Sequence, residues 1–517
     1  MGAPPIQSRR HNNTVTFHAA DIWESSDGLM LRNVGEEYCL QIGAAPRGHI
    51  SCINIRKDQK MSEIEHFEYV FLGGGKGGKT LAMELATAGK SVAVIEKGMI
   101  GGSCINVACI PSKTLIQSAR TAHAAKSAAP TSFRPDMGAA QQRVRTVVSE
   151  MVDINMKGFI ASGFDLILGT GHFTAPRTIE VELNDGGTRT VEGTHVFINT
   201  GTRASIPDIP GLRASEPLTH VEALEATEAP EELIVIGGGY IGLEMAQAFH
   251  RLGSRVTVLQ ETAHVANRED VDVSEAIETA FREDGITIKT GVKAIEVQGR
   301  SGDRVTVSLS DGAHVTGTHI LVAAGRTPVT SDLRLDLAGV NVDGRGIIEV
   351  DERLATSAPN TWAIGEVAGT PMFTHASYDD YRVLKSQLSG GDRTTRDRVI
   401  PYAMFIEPEL GRIGLNEKEA SERGIAVRVA KLPMTAVPRA RTNGAMRGFM
   451  KALIDAHSDQ ILGFTMVGTN AGEVVTAVQM AMIAGLPYTA VRDSIIAHPL
   501  ISEGLNLLLL KVPGKAA

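Results

Sequence analysis

The sequence predicts an α/β fold with two Rossmann-like dinucleotide-binding units and a C-terminal α+β domain. Two observations predict it. Strand, glycine loop, helix and strand occur in that order twice, from Glu68 and again from Leu233. After about Val399, short apolar strands mix with a long apolar helix. Size agrees, since 517 residues exceed one ordinary core and suggest about three or four domains.

The first unit opens with Tyr69-Val-Phe-Leu72, a short buried strand. Gly73-Gly-Gly75-Lys-Gly-Gly78 follows, then a helical stretch through Leu81, Leu85 and Ala88, then Val92-Ala-Val-Ile95, ending at Glu96. Glycines at 73, 75 and 78 permit a tight turn and let backbone N–H groups approach a pyrophosphate, and the next helix N-terminus favours negative charge. Glu96 stands where a carboxylate accepts hydrogen bonds from ribose hydroxyls. A lone loop of this kind is as readily a glycine-rich turn; strand, helix and acid together make it a dinucleotide signature.

The second unit repeats the pattern. Leu233-Ile-Val-Ile236 leads into Gly237-x-Gly239-x-x-Gly242, a helix through Met245 and Phe249, and the strand Val256-Thr-Val-Leu259. That strand is followed by Gln260-Glu261 rather than directly by an acid. Gln260 can bond a ribose hydroxyl but neither repels nor attracts a 2′-phosphate strongly. NADH and NADPH both stay open, with a lean to NADH because no arginine directly follows the strand. Two largely alternating stretches, Thr190 to Asn199 and Val305 to Val322, lead into Gly201 and Gly325, further candidate cofactor contacts. The C-terminal domain is read from the strand Phe449 to Ile454 and the helix Glu473 to Ala484.

The most informative stretch is Gly101-Gly-Ser-Cys104-Ile-Asn-Val-Ala-Cys109-Ile-Pro-Ser-Lys113. Five residues of ideal helix rise about 7.5 Å, beyond the roughly 4.4–6.8 Å that a disulfide spans between Cα atoms. A bridge therefore requires distorted backbone, which Gly101-Gly102 before and Pro111 after make available. A zinc site would need two more soft ligands nearby, so no metal site is expected. Two inert buried thiols would leave the flanking Gly-Gly and Pro-Ser-Lys unexplained. A redox-active pair is the favoured reading.

Composition narrows the partners. Fifty-one Lys+Arg against 59 Asp+Glu give a net charge of −8, which argues against nucleic acid or an anionic membrane as the main partner. No segment approaches about eighteen uninterrupted apolar residues, and the N-terminus lacks an apolar h-region. With four cysteines and no export signal, a cytoplasmic location is expected. Residues 1–60 lack periodicity and are expected to be a poorly ordered extension before an enzyme beginning near Met61; a small extra domain is the alternative.

The cysteine stretch resembles the redox motif of the class I pyridine nucleotide–disulfide oxidoreductases, which include lipoamide dehydrogenase, glutathione reductase and mercuric reductase. The resemblance covers about Glu68 to Val512. It implies an FAD-binding domain at 61–212, an NAD(P)-binding domain at 213–335, a second FAD segment at 336–398 and a dimerisation domain at 399–517. It implies that Cys104 is the interchange thiol, that Cys109 is the charge-transfer thiol, and that Lys113 pairs with Glu244 near the flavin. Gly171-His172-Phe173 and the segment Thr356 to Gly365 resemble further FAD motifs, although Gly365 is followed by Glu366 where the family usually has aspartate. His498 and Glu503, spaced His-Pro-(x)3-Glu, resemble an acid–base dyad that reaches the partner subunit's cysteines, which implies a homodimer. Histidine titrates near neutrality, as thiol–disulfide exchange requires.

Within the family, the absence of a cysteine after Cys109 disfavours ordinary mercury chemistry. Phe373 to Tyr381, Pro438-Arg-Ala-Arg441 and the stretch from Ala484 through Glu503 resemble the reactive-chlorine-resistance branch, whose members can reduce copper(II). The expected activity passes electrons from NADH or NADPH through FAD and the cysteines to a disulfide, metal ion or other oxidant. The alternatives are a lipoamide dehydrogenase of a multienzyme complex and a flavin-binding protein without turnover.

Overall fold

The computed structural model describes residues 29–34, 37–42, 50–53, 64–129 and 134–515. Of the 1–60 segment, the described residues form a three-stranded antiparallel sheet of Leu29–Val34, Glu37–Ile42 and Ile50–Ile53. The rest of the expectation for that segment, with the start near Met61, lies outside the described residues. The chain divides into two compact units, each assembled from separated stretches. The first comprises residues up to Gly102, Ile154–Gly201 and Val329–Arg393; the second comprises Ser103–Asp153, Thr202–Pro328 and Thr394 onward.

The first unit is built on a six-stranded sheet. Glu65–Leu72 lies at its centre, parallel to Val92–Glu96 on one side and Thr188–Ile198 on the other. Its first half alternates between exposed and half-buried residues, whereas Val70, Phe71 and Leu72 are buried, so the strand enters the core as it reaches the glycine loop. Val92–Glu96 is buried throughout, as a parallel strand covered on both faces should be. Thr361–Ala363 extends the sheet beside Thr188–Ile198, and Asp165–Ala175 turns antiparallel onto Thr178–Leu183 at the other end.

The second unit holds the repeat of this pattern. Glu232–Ile236 lies between Arg255–Leu259 and His319–Val322 in a four-stranded parallel sheet completed by Thr287–Lys289. A separate three-stranded antiparallel sheet of Ala294–Arg300, Arg304–Leu309 and His314–Gly317 packs against it, with Val297, Val305 and Val307 in one core with Ile234 and Ile320. The C-terminal domain is a five-stranded antiparallel sheet, including Phe449–Asp455, with the apolar helix Ala471–Ile483. Two Rossmann-type regions and a separate C-terminal domain are therefore present, as the sequence predicts.

The helices over 103–153, grouped by sequence with the first nucleotide-binding domain, fall in the second unit. Helix Cys109–Ala128 buries Leu115, Ile116, Ala119 and Ala122 at helical spacing, in one core with Leu243, Ala246 and Phe249 of helix Tyr240–Arg251. That packing fixes where the cysteine motif stands relative to the second glycine loop's helix.

Candidate active site

The first glycine loop is held from beneath by two side chains. Gly73 has φ +106°, and a Cβ there would lie 2.5 Å from the carbonyl oxygen of Asn199, so both conformation and space demand glycine. Gly75 caps helix Lys76–Thr87 with an ordinary φ of −66°. Its need for glycine is steric, since a Cβ would meet the Asn199 amide at 2.7 Å. Gly78 donates its N–H to Asn199 Oδ1 at 2.7 Å. The buried Glu96 carboxylate accepts the Gly74 N–H on Oε2 (2.8 Å) and those of Gly98 and Met99 on Oε1 (2.9 Å each). Gly365, at φ +75°, lies close to the same asparagine, and its N–H donates to the fully buried Asp380 at 2.8 Å. Glu366 follows in the short 3-10 turn Gly365–Ala368. The structure thus gathers Gly73, Gly75, Gly78 and Gly365 around Asn199, with Glu96 bonded to the same loop.

Other predicted positions of this unit lie apart. His172 is buried on the antiparallel arm, four residues beyond the one paired with Glu96, and its Nε2 is 3.3 Å from Glu180. Gly201, at φ +69°, accepts the Val329 N–H in the crossing between its strand and Val329. Lys79, buried in the loop's helix, donates to Gly101 O at 3.0 Å and to Asn155. Gly101 and Gly102 both have positive φ, and a Cβ on Gly102 would lie 2.9 Å from the Cα of Gly75. The Gly-Gly pair ahead of the cysteines is therefore explained by close approach to the glycine loop.

The second loop has the same lettering and a different support. Gly237 has φ +109°, and a Cβ on Gly242 would overlap the carbonyl oxygen of Gly237. At Gly239, by contrast, a Cβ would meet no heavy atom within 4 Å beyond its own chain neighbours. Gln260 accepts the Gly238 N–H on Oε1 (2.6 Å) and donates from Nε2 to Thr262 (2.5 Å). Glu261 is exposed, with Lys293 at 3.7 Å. Gly325, at φ +137°, accepts the Ser205 N–H.

The cysteines flank a break in the helix. Cys104 lies in the short helix Ser103–Asn106 and Cys109 opens helix Cys109–Ala128. Between them Ala108 adopts φ −132° and ψ −104°, far from helical, which supplies the distortion that a bridge requires. The half-buried pair stands near disulfide distance. Pro111 falls in the first turn, where its missing N–H costs no hydrogen bond. One turn beyond Cys109, Lys113 Nζ donates to Glu244 Oε2 at 2.7 Å, with Glu244 only 6% exposed. The other oxygen, Glu244 Oε1, accepts the N–H of Phe405 at 2.9 Å.

Near the C-terminus, His498 Nδ1 faces both carboxylate oxygens of Glu503, at 3.1 and 3.0 Å. The imidazole is two-thirds exposed. Ile495 and Leu500 beside it, and Met480 and Ile483 on the apolar helix, are exposed as well. A cluster of Asp270, Asp272 and Glu417 is occupied by the protein's own cation, since the buried Lys451 Nζ donates to all three.

Sequence reasoning missed Asn199, Lys79, Asp380 and Phe405. Only Asn199 carried a local signal, as a polar residue ending a buried strand just ahead of Gly201.

Comparison with known proteins gives concordant findings. A family model described as pyridine nucleotide-disulphide oxidoreductase matches residues 67–380, and the dimerisation domain of that family matches 400–508. The probable pyridine nucleotide-disulfide oxidoreductase RclA of Escherichia coli is 38% identical over 86% of this chain and 98% of its own. A mercuric reductase of Streptomyces lividans is 35% identical over 85% of this chain and 95% of its own. The solved Cu(II) complex of the HOCl-induced flavoprotein disulfide reductase RclA superposes with a TM-score of 0.80 at 37% identity, covering 86% of this chain and 99% of that one.

Proposed function

The chain belongs to the pyridine nucleotide-disulphide oxidoreductase family, in a branch with RclA, and from that premise we propose how its residues divide the work. It is an FAD- and NAD(P)H-dependent oxidoreductase with a redox-active cysteine pair, and a homodimer. FAD, when bound, accepts two electrons from the nicotinamide and yields them to the Cys104–Cys109 disulfide. The fit to such a group rests on the Glu96 carboxylate at the strand end and on glycines whose missing Cβ atoms keep the loop backbone bare. We assign that cradle to FAD and the open loop at Gly239 to the nicotinamide coenzyme.

The observation that carries this reading is the helix break at Ala108, with Cys104 and Cys109 on its two sides and Lys113 one turn on. Reduction of the bridge takes two electrons and leaves two thiols. The Cys104 thiolate then attacks a disulfide substrate and releases one thiol, and Cys109 displaces the second, which restores the bridge. The exposed His498, oriented by Glu503, takes up and returns the proton at Cys104 of the partner subunit. With a metal-ion acceptor the pair supplies the same two electrons, reducing two Cu(II) to Cu(I) as the bridge re-forms and two protons are released. Cu(II), which RclA binds in its solved complex, is the acceptor class we favour.

Purified enzyme assayed with NADH and NADPH against Cu(II), mercury(II), glutathione disulfide and lipoamide tests this reading. Efficient oxidation of dihydrolipoamide with NAD would overturn the favoured acceptor. Replacing His498 with alanine should slow disulfide turnover far more than flavin reduction by nicotinamide, and equal slowing would remove the dyad from the mechanism.

A further inference from the structure

The loop from Met404 to Glu409 is gripped by two helices at once. From helix Cys109–Ala128, Arg120 donates to the carbonyl oxygens of Phe405 (3.1 Å) and Ile406 (3.0 Å) and to Glu409 (3.1 Å). Arg120 follows Lys113 by two helical turns and so shares its face. From helix Tyr240–Arg251, Glu244, Gln247 and Arg251 form one stripe. Glu244 takes the Phe405 N–H, Gln247 bonds both the N–H and the carbonyl of Glu407 (2.7 and 2.8 Å), and Arg251 pairs with the Glu407 carboxylate at 2.5 Å. Two of these bonds hold the N–H and the carbonyl of one partly exposed residue, Phe405, and the rest hold the residues that follow it.

We propose that Phe405 is a positioning residue for the Lys113 ammonium. It touches both members of the ion pair: its N–H holds one oxygen of Glu244, and its ring lies under Lys113 Nζ at 4.8 Å from the centroid. The carboxylate draws the ammonium from one direction and the negative ring face from another, so the charge is held at one point instead of sweeping through solvent. A third-exposed lysine with a single ion-pair partner would otherwise keep much of its freedom. The Phe405 ring therefore determines where the positive charge stands on the turn after Cys109. This deepens the proposed function: the Lys113–Glu244 pair is assigned to the flavin's side of the cysteines, as the family resemblance implies, and the positioning role rests on that assignment only for its catalytic consequence.

The direct test is chemical. In the holoenzyme, the acylation rate of Lys113 by acetic anhydride, read by peptide mass spectrometry against exposed Lys418, should rise about 3-fold in Phe405→Leu. Phe405→Tyr and Phe405→Trp, which keep a ring face, should restore the wild-type rate. An unchanged rate in Phe405→Leu, or failure of both aromatic variants to restore it, overturns the proposal. Lys113→Met separates the two readings. If it leaves flavin reduction and the long-wavelength absorbance of the two-electron-reduced enzyme unaltered, the catalytic assignment of Lys113 falls while the labelling result stands. If it alters them but Lys113 reactivity is indifferent to Phe405, the positioning role alone falls.

Discussion

The two glycine loops share the Gly-x-Gly-x-x-Gly spacing between strand and helix, yet they are supported in different ways. In the first, Glu96 accepts three backbone N–H groups and Asn199 fills the space beneath Gly75 and Gly78. In the second, Gln260 accepts one, and the space before Gly239 is open. A carboxylate holding three backbone N–H groups of the loop is fixed before any ligand arrives, whereas the amide holds one backbone N–H and otherwise bonds only the Thr262 hydroxyl, so it turns at a smaller cost. This is the difference expected between a cradle that retains its cofactor and one that admits and releases it each turnover. Matching glycines locate a cradle; the residues underneath decide how stiff it is.

The contrast breaks most severely at the third glycine. Gly78→Ala displaces a side-chain atom, Asn199 Oδ1, but Gly242→Ala drives a methyl group into the Gly237 carbonyl, which has nowhere to go. Gly242→Ala is expected to destabilise the second unit by about 3 kcal/mol or more, read from the denaturation midpoint. Gly78→Ala should cost less, about 1–2 kcal/mol, mainly through the lost N–H bond to Asn199. The reverse order would mean that Asn199 is the stiffer neighbour.

Acid should separate the units next. His220, buried in the second unit, has its pKa pushed down to about 4 by burial, helped by the Arg326 charge and opposed by Glu222. The folded state therefore leaves it neutral while the unfolded chain protonates it below about 6.5. Its contribution to stability is intact above that value, falls as pH drops towards about 4, and then levels. Between pH 7 and 5 the loss is about 2 kcal/mol. Urea denaturation at the two pH values should show a correspondingly smaller loss in His220→Asn, and an equal loss would remove His220 as the cause.

Glu96→Gln probes the stiff loop directly. Glutamine has one acceptor oxygen where three N–H groups on two carboxylate oxygens need satisfying, so its amide must face at least one donor. A cost of about 2 kcal/mol follows, seen as about 30-fold weaker retention of flavin in dialysis against chaotrope. Gln260→Glu keeps the acceptor for the Gly238 N–H and gives up only the Nε2 bond to Thr262. It should leave flavin retention unaltered and shift the NADH-over-NADPH preference upward about 10-fold.

What was legible in the sequence is what lies close along the chain. The glycine loops, the Cys104 to Lys113 run and the His498–Glu503 spacing each span about ten residues or fewer, so residue type and spacing suffice. Asn199 meets Gly78 from 121 residues away, and Phe405 meets Glu244 from 161. No periodicity encodes such pairings. The helices over 103–153 announce an apolar face but not the helix that covers it, and for that reason their place in the second unit was not foreseen. Asp380, inside a helix, is invisible as an anchor until the Gly365 turn is folded against it.

The smallest structural effect gives the sharpest discrimination. Gly239→Ala adds a methyl group into open space, with no neighbouring atom within 4 Å and no positive φ to forbid it. The protein's stability should change by less than about 0.5 kcal/mol, and flavin retention should not change. Its effect should fall on coenzyme approach alone. A methyl group standing where the pyrophosphate meets the loop raises KM for NADH or NADPH by about 10-fold, with electron transfer from an artificial reductant to Cu(II) unaffected. Gly75→Ala, its counterpart in the first loop, must displace Asn199 and should lose stability and flavin together. If both variants lose flavin, the two cradles are equally stiff. If Gly239→Ala changes neither stability nor KM, the open loop is not where the coenzyme binds.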